Sequence, residues 1–114
     1  MPNLVKELRF EIKLTNFKKY KITMEALTEE SIKIELQNVA DWFYNDNVIE
    51  KKYMFKNFME ALAFIVKVGV LSEKRNHHPE LYNVYNKVTI RLTTHDANGV
   101  TMKDFDLAKA INEL

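Results

Sequence analysis

Residues 73 to 95 read EKRNHHPELYNVYNKVTIRLTTH. Pro79 forces the residue before it, His78, into an extended conformation, so a helix arriving from upstream must stop ahead of it. Beyond it, Val88, Ile90 and Leu92 alternate with Thr89, Arg91 and Thr93, the period of a strand with one buried face, here Lys87 to Thr94. A helix that hands over directly to such a strand points to an α+β fold. The stretch also holds every histidine of the chain, His77, His78 and His95. Imidazole is the side chain whose ordinary pKa lies nearest neutrality, so three of them in one short segment suggest proton transfer.

Upstream, Asn57 and Glu60 have capping-box spacing at the start of that helix. Phe58, Ala61, Leu62, Ile65, Val68 and Ser72 mark one face of it, and Phe64 with Leu71 widens the apolar stripe. The stripe is broad enough that part of it is expected to face a second subunit. Earlier still, the aromatic run from Trp42 to Tyr44 and the set Ile49, Tyr53 and Phe55 read as two strands. The short polar side chains of Asn45, Asp46 and Asn47 make the turn between them. Leu27-Thr28-Glu29-Glu30 opens a first helix, with Thr28 as its cap and Leu27 stapled to Ile32. Ile32, Leu36 and Val39 form its core face, and it is expected to end near Asp41.

Downstream, His95 precedes the turn-forming pair Asn98-Gly99. Thr101 caps a third helix whose inward residues are Leu107, Ile111 and Leu114. Asp104, three residues after that cap, has a structural job there first. At the other end of the chain, Leu8, Phe10, Ile12 and Leu14 alternate with Glu7, Arg9, Glu11 and Lys13, which predicts a strand over 4–14. The expected architecture is a four-stranded antiparallel sheet with three helices packed on one face, plus an additional N-terminal strand; the periods mark three of the four sheet strands. Residues 1–26 are read as an extension and 27–114 as the main domain.

Composition narrows the function classes. At 114 residues the chain is one domain, able to close a core without staples. It has no cysteine, which removes disulfide frameworks and thiolate zinc sites. A net charge of +1, from 17 basic and 16 acidic residues, offers no field for a polyanion, so nucleic acid is not an expected partner. The longest apolar stretch, Ala61 to Leu71, is broken by Lys67 and is too short for a membrane span. No segment has the order of a signal peptide. The expected compartment is the cytoplasm, with the nucleus as a second location.

The residues carry a resemblance. His77-His78-Pro79 with Glu73 four residues earlier, then Asn83-Val84-Tyr85-Asn86-Lys87-Val88, then Thr94-His95, resembles the pterin-4a-carbinolamine dehydratase family, also called the dimerization cofactor family. The run Ile49, Lys51, Tyr53, Phe55, Asn57, Phe58, Ala61, Phe64 is similar to its I-x-R-x-F-x-F-x-D-F-x-x-A-x-x-F pattern. Lys51 stands there where arginine is usual. Gly99-Val100-Thr101 followed by Asp104, Leu107, Ala108 and Ile111 resembles its closing helix. The likeness runs from about Leu27 onward. Leu81 departs from it, standing where many members carry tryptophan, so that Tyr82 or Tyr85 would have to supply aromatic packing.

The resemblance implies a dehydratase that removes water from 4a-hydroxytetrahydrobiopterin to give quinonoid dihydropterin, the recycling step of tetrahydrobiopterin metabolism. It implies His77 and His95 as the proton-transfer pair, and His78 as a binding and orienting residue that can share the acid role. Pro79 and the segment Thr94, His95, Asp96, Ala97 match the positions that line the pterin. Glu73, one helical turn before His77, is placed to hold that ring. Asp104 and Tyr85 are expected behind the site. No cofactor and no metal are implied; adjacent His77 and His78 would in any case aim poorly at a single ion. A homodimer or homotetramer is implied. So is an alternative role as an interaction module, because animal members of the family also stabilise a transcription factor's dimerization segment.

Overall fold

Left-handed backbone sets the two hairpins of the sheet. In the structure, a computed structural model that describes residues 25–114, Asp46 and Asn47 have φ of 47° and 66°. Two consecutive positive φ values make the tight turn whose twist matches that of paired strands, and short polar side chains tolerate it best. Tyr85, at φ 50°, opens the second hairpin turn. The elements in order are α1 (Glu29–Leu36), β1 (Phe43–Asn45), β2 (Val48–Met54), α2 (Phe58–Arg75), β3 (Glu80–Val84), β4 (Lys87–Leu92), a single 3-10 turn (His95–Ala97) and α3 (Met102–Asn112). All strand pairs are antiparallel, in the order β1-β2-β4-β3, with Ile49 opposite Leu92 and Glu80 opposite Arg91.

The alternation in β4 decides which face is covered. Val88, Ile90 and Leu92 are buried, together with Ile49 of β2, and the helices close over them with Ile32, Ala61, Val68, Leu107, Ala108 and Ile111. The opposite face, with Phe43, Met54, Tyr82 and Val84, is exposed. The expected four antiparallel strands and three helices are thus present. The expected strand over 4–14 lies outside the described residues.

Three local expectations are corrected. The first helix stops at Leu36 rather than near Asp41, because Gln37 to Asp41 form turns and Asp41 has φ 67°. Phe58 and Leu62 of α2 are exposed, so its buried line runs through Ala61, Val68 and Ser72. Leu114 is exposed because α3 ends at Asn112.

Caps are largely where the sequence puts them. Thr28 accepts from the Ser31 N–H and Asn57 from the Glu60 N–H, while Glu60 reaches back to the Lys56 N–H rather than to the cap itself. Burial first, and then the Asp41 charge, pushes the Tyr53 phenol up to about 12, so it stays neutral inside the fold.

Asn112 ties the end of α3 to the sheet. Its Oδ1 accepts from Trp42 Nε1 at 2.9 Å and from Lys51 Nζ at 2.8 Å, and its Nδ2 donates to the Ala40 carbonyl at 3.1 Å. Asn112→Ala leaves the buried Trp42 indole N–H without its acceptor. Unfolding in urea at fixed protein concentration should show a loss of about 1–3 kcal/mol.

Candidate active site

The site begins at the helix-to-strand junction. α2 ends at Arg75, and Asn76 follows with φ 47° in the left-handed region that closes helices. The Asn76 N–H donates to the Glu73 and Ser72 carbonyls, and the His77 N–H donates to Ser72 at 3.1 Å. The main chain entering His77 is therefore fixed before Pro79 turns it into β3. A second rigid point lies after β4, where Thr94 pairs with Gly99 through both main-chain bonds and its carbonyl also accepts from the Ala97 N–H. Gly99 is needed for close approach: a Cβ there would stand 2.8 Å from the Ala26 Cβ.

Asp104 joins these two points. It opens α3 in a reciprocal capping box with Thr101, whose main-chain N–H donates to Asp104 Oδ2 at 2.9 Å. The same Oδ2 accepts from the Thr94 hydroxyl at 2.8 Å, and Oδ1 lies 2.5 Å from His77 Nε2. The Thr94 and Thr101 hydroxyl oxygens are 2.7 Å apart. Asp104 is 0% exposed, Thr101 1% and Thr94 4%, so water does not compete for these bonds. His77 is half-buried, and among the described residues one ring nitrogen is held and the other has no partner.

The carboxylate on His77 is therefore Asp104 and not Glu73. Glu73 Oε1 instead lies 2.5 Å from His78 Nε2, an exposed pair at the surface end of α2. His95 and Asp96 are exposed on the 3-10 turn, Ala97 is half-buried there, and Pro79 is half-buried at the mouth of β3. His95 follows directly on Thr94, so it stands one residue from a hydroxyl bonded to the Asp104 carboxylate that holds His77. Tyr85 is not brought to this cluster. It lies beyond the far end of β3, five residues or roughly 17 Å of strand from Pro79.

An open recess of about 380 Å³ is lined by His77 together with Arg75, Met102, Lys103 and Asp106. Arg75 Nε donates to Asp106 at 2.7 Å, which among the described residues leaves Lys103 as the uncompensated cation of the recess. Two larger hollows, about 510 and 730 Å³, lie on the open face of the sheet and contain no imidazole. Shape alone would choose them; the chemistry chooses the smaller one. Arg75, Met102 and Lys103 had no legible signal as lining residues, because each reads as ordinary helix-end surface. Among the described residues no three His, Asp or Glu side chains gather as a metal ion would require, and no helix is long and apolar enough to cross a membrane.

Comparison with known proteins meets this geometry. A family model described as pterin 4 alpha carbinolamine dehydratase matches residues 25–114. A protein of Sulfurisphaera tokodaii, provisionally named a pterin-4-alpha-carbinolamine dehydratase, is 47% identical over 91 residues, covering 80% of this chain and 98% of its own. A similarly named protein of Picosynechococcus is 46% identical over 88 residues, covering 77% and 96%. A crystal structure from Brucella melitensis, titled a transcriptional coactivator/pterin dehydratase, superposes with a TM-score of 0.75 at 35% identity over 78% of this chain and 97% of that one.

Proposed function

The chain belongs to the pterin-4a-carbinolamine dehydratase family, and from that premise and the Asp104-backed His77 we propose that it dehydrates 4a-hydroxytetrahydrobiopterin by imidazole general acid–base catalysis. Residues 27–114 are the reacting unit and 1–26 an addition to it. In the step itself the C4a–O bond breaks, the hydroxyl leaves as water after taking a proton, and N5 loses its own proton to give the quinonoid dihydropterin. One donor and one acceptor of protons suffice, and no redox partner enters.

The observation that carries this reading is His77 backed by the buried Asp104 carboxylate. A carboxylate only accepts, so the imidazole proton sits on Nε2 and the Nδ1 lone pair is left for the substrate. A carboxylate behind the ring also steadies the imidazolium formed on taking a proton, which suits His77 to the N5 proton. His95 then protonates the leaving hydroxyl. His78, paired with Glu73, binds and orients, and Pro79, Asp96 and Ala97 line the pterin. The deciding experiment is a turnover assay with the carbinolamine generated in place: acceleration over the spontaneous loss of water supports the reading, and none overturns it.

Association is proposed as well. Met59, Leu62, Val66 and Val70 recur at spacings of three and four on α2 and are between 41% and 77% exposed. A stripe of this kind on one helix is self-complementary across a twofold axis. Val66→Glu should reduce the assembly in sedimentation to a smaller species, and an unchanged mass would contradict the interface. The same stripe is the physical footing for the alternative, a dimerization cofactor of a transcription factor, which the turnover assay separates from the enzyme.

A further inference from the structure

We propose that Thr94 and Thr101 are positioning residues, whose hydroxyl protons form a directed chain onto Asp104 that fixes the tautomer and orientation of His77. The inference rests on the reading of His77 as a proton-transfer group, and it follows from counting protons. Thr94 Oγ1 has one proton and, among the described residues, two oxygen partners, Asp104 Oδ2 at 2.8 Å and Thr101 Oγ1 at 2.7 Å. A carboxylate oxygen has none to give, so Thr94 donates to Asp104. The bond between the two hydroxyls must then run from Thr101 to Thr94. Thr101 Oγ1 is free to donate because it accepts from the Lys103 N–H, as an N-cap does. With the Thr101 N–H also on Oδ2, every hydrogen-bond partner of Asp104 among the described residues except the imidazole has its proton direction settled. The carboxylate is left with one demand, which His77 Nε2–H meets.

A capping box alone does not need Thr94. Thr101 and Asp104 already satisfy the start of α3, whereas Thr94 lies just after β4 and precedes His95. Its hydroxyl therefore ties the segment carrying His95 to the carboxylate that holds His77. The charged groups around His77 come from both packed elements, Arg75 at the end of α2 and Lys103, Asp104 and Asp106 on α3. Of these, Asp104 alone makes a hydrogen bond to the ring. The single hydroxyl proton of Thr94 is committed to Asp104, so what it donates acts through Asp104.

The test compares Thr94→Val, which keeps the volume and removes the hydroxyl, with Thr94→Ser, which keeps the hydroxyl. In the full chain the valine variant should lower kcat roughly tenfold or more with little change in KM, as loss of an orienting partner does, and serine should restore most of it. The ring-nitrogen 15N spectrum of His77 should show one Nε2–H tautomer in the wild type and in the serine variant, and a mixture in the valine variant. A folded valine variant with wild-type kcat and an unchanged His77 spectrum overturns the proposal. The spectrum needs no turnover, so it judges this inference even if the dehydratase reading fails. If the valine variant does not fold, the wild-type protein decides: slowly exchanging hydroxyl protons at both Thr94 and Thr101 support the chain, and rapid exchange of either overturns it.

Discussion

His77→Ala and His95→Ala are each expected to lower kcat by ~10²-fold or more, the usual loss when a general acid or base is removed. Acid and base act in one step here, so either deletion strands the other. The double variant should therefore be little worse than the singles. The substrate loses water unaided, and that background sets a floor under the measured loss. His78→Ala should behave differently, with most of its effect in KM, because a group that holds ground state and transition state alike adds affinity without lowering the barrier between them. Stopped-flow measurement of pterin dehydration by the three variants, with folding checked by circular dichroism, tests the assignment. Full activity in all three folded variants would refute histidine catalysis.

Asp104→Asn should cost as much without moving a single heavy atom far. The amide keeps the shape of the carboxylate but replaces one acceptor oxygen with an NH₂ donor. Two donors, the Thr94 hydroxyl and the Thr101 N–H, face Oδ2, so the remaining oxygen stays with them and the NH₂ turns to His77. His77 Nε2 must then accept, which drives the ring proton to Nδ1 and removes the lone pair from the substrate side. A wrong tautomer of this kind can lower kcat by about 10²–10⁴-fold. Stability should fall by only about 1–3 kcal/mol, since the capping bonds survive. Kinetics and urea unfolding on the same preparation check both halves. A large loss of stability with normal kcat in the folded fraction would mean that Asp104 serves the helix alone.

The parts of the fold legible in the sequence are those that rest on local physics. Pro79 ends the helix ahead of it, Thr28, Asn57 and Thr101 cap, Asp46 and Asn47 turn, and the alternation of Val88, Ile90 and Leu92 chooses the buried face of β4. Each of these depends on neighbours within about four residues. The exposure of Phe58 and Leu62 was not legible, because an apolar stripe wider than the sheet can cover does not say which edge stays uncovered.

The candidate site divides in the same way. The sequence by itself determined that all three imidazoles fall on one helix-to-strand junction and one strand end, and that Asp104 lies at capping distance from Thr101. Only the tertiary structure decided which carboxylate meets which ring. Helical spacing offered Glu73 to His77, but left-handed Asn76 breaks that spacing before the histidines begin, and Glu73 meets His78 instead. Asp104 reaches His77 across 27 residues because α3 starts beside the end of α2, a contact made by burying apolar side chains of both helices on β4. Hydrophobic burial has no direction of its own. It brings the helix ends together, and the buried hydrogen bonds of Asp104 then fix which groups face each other.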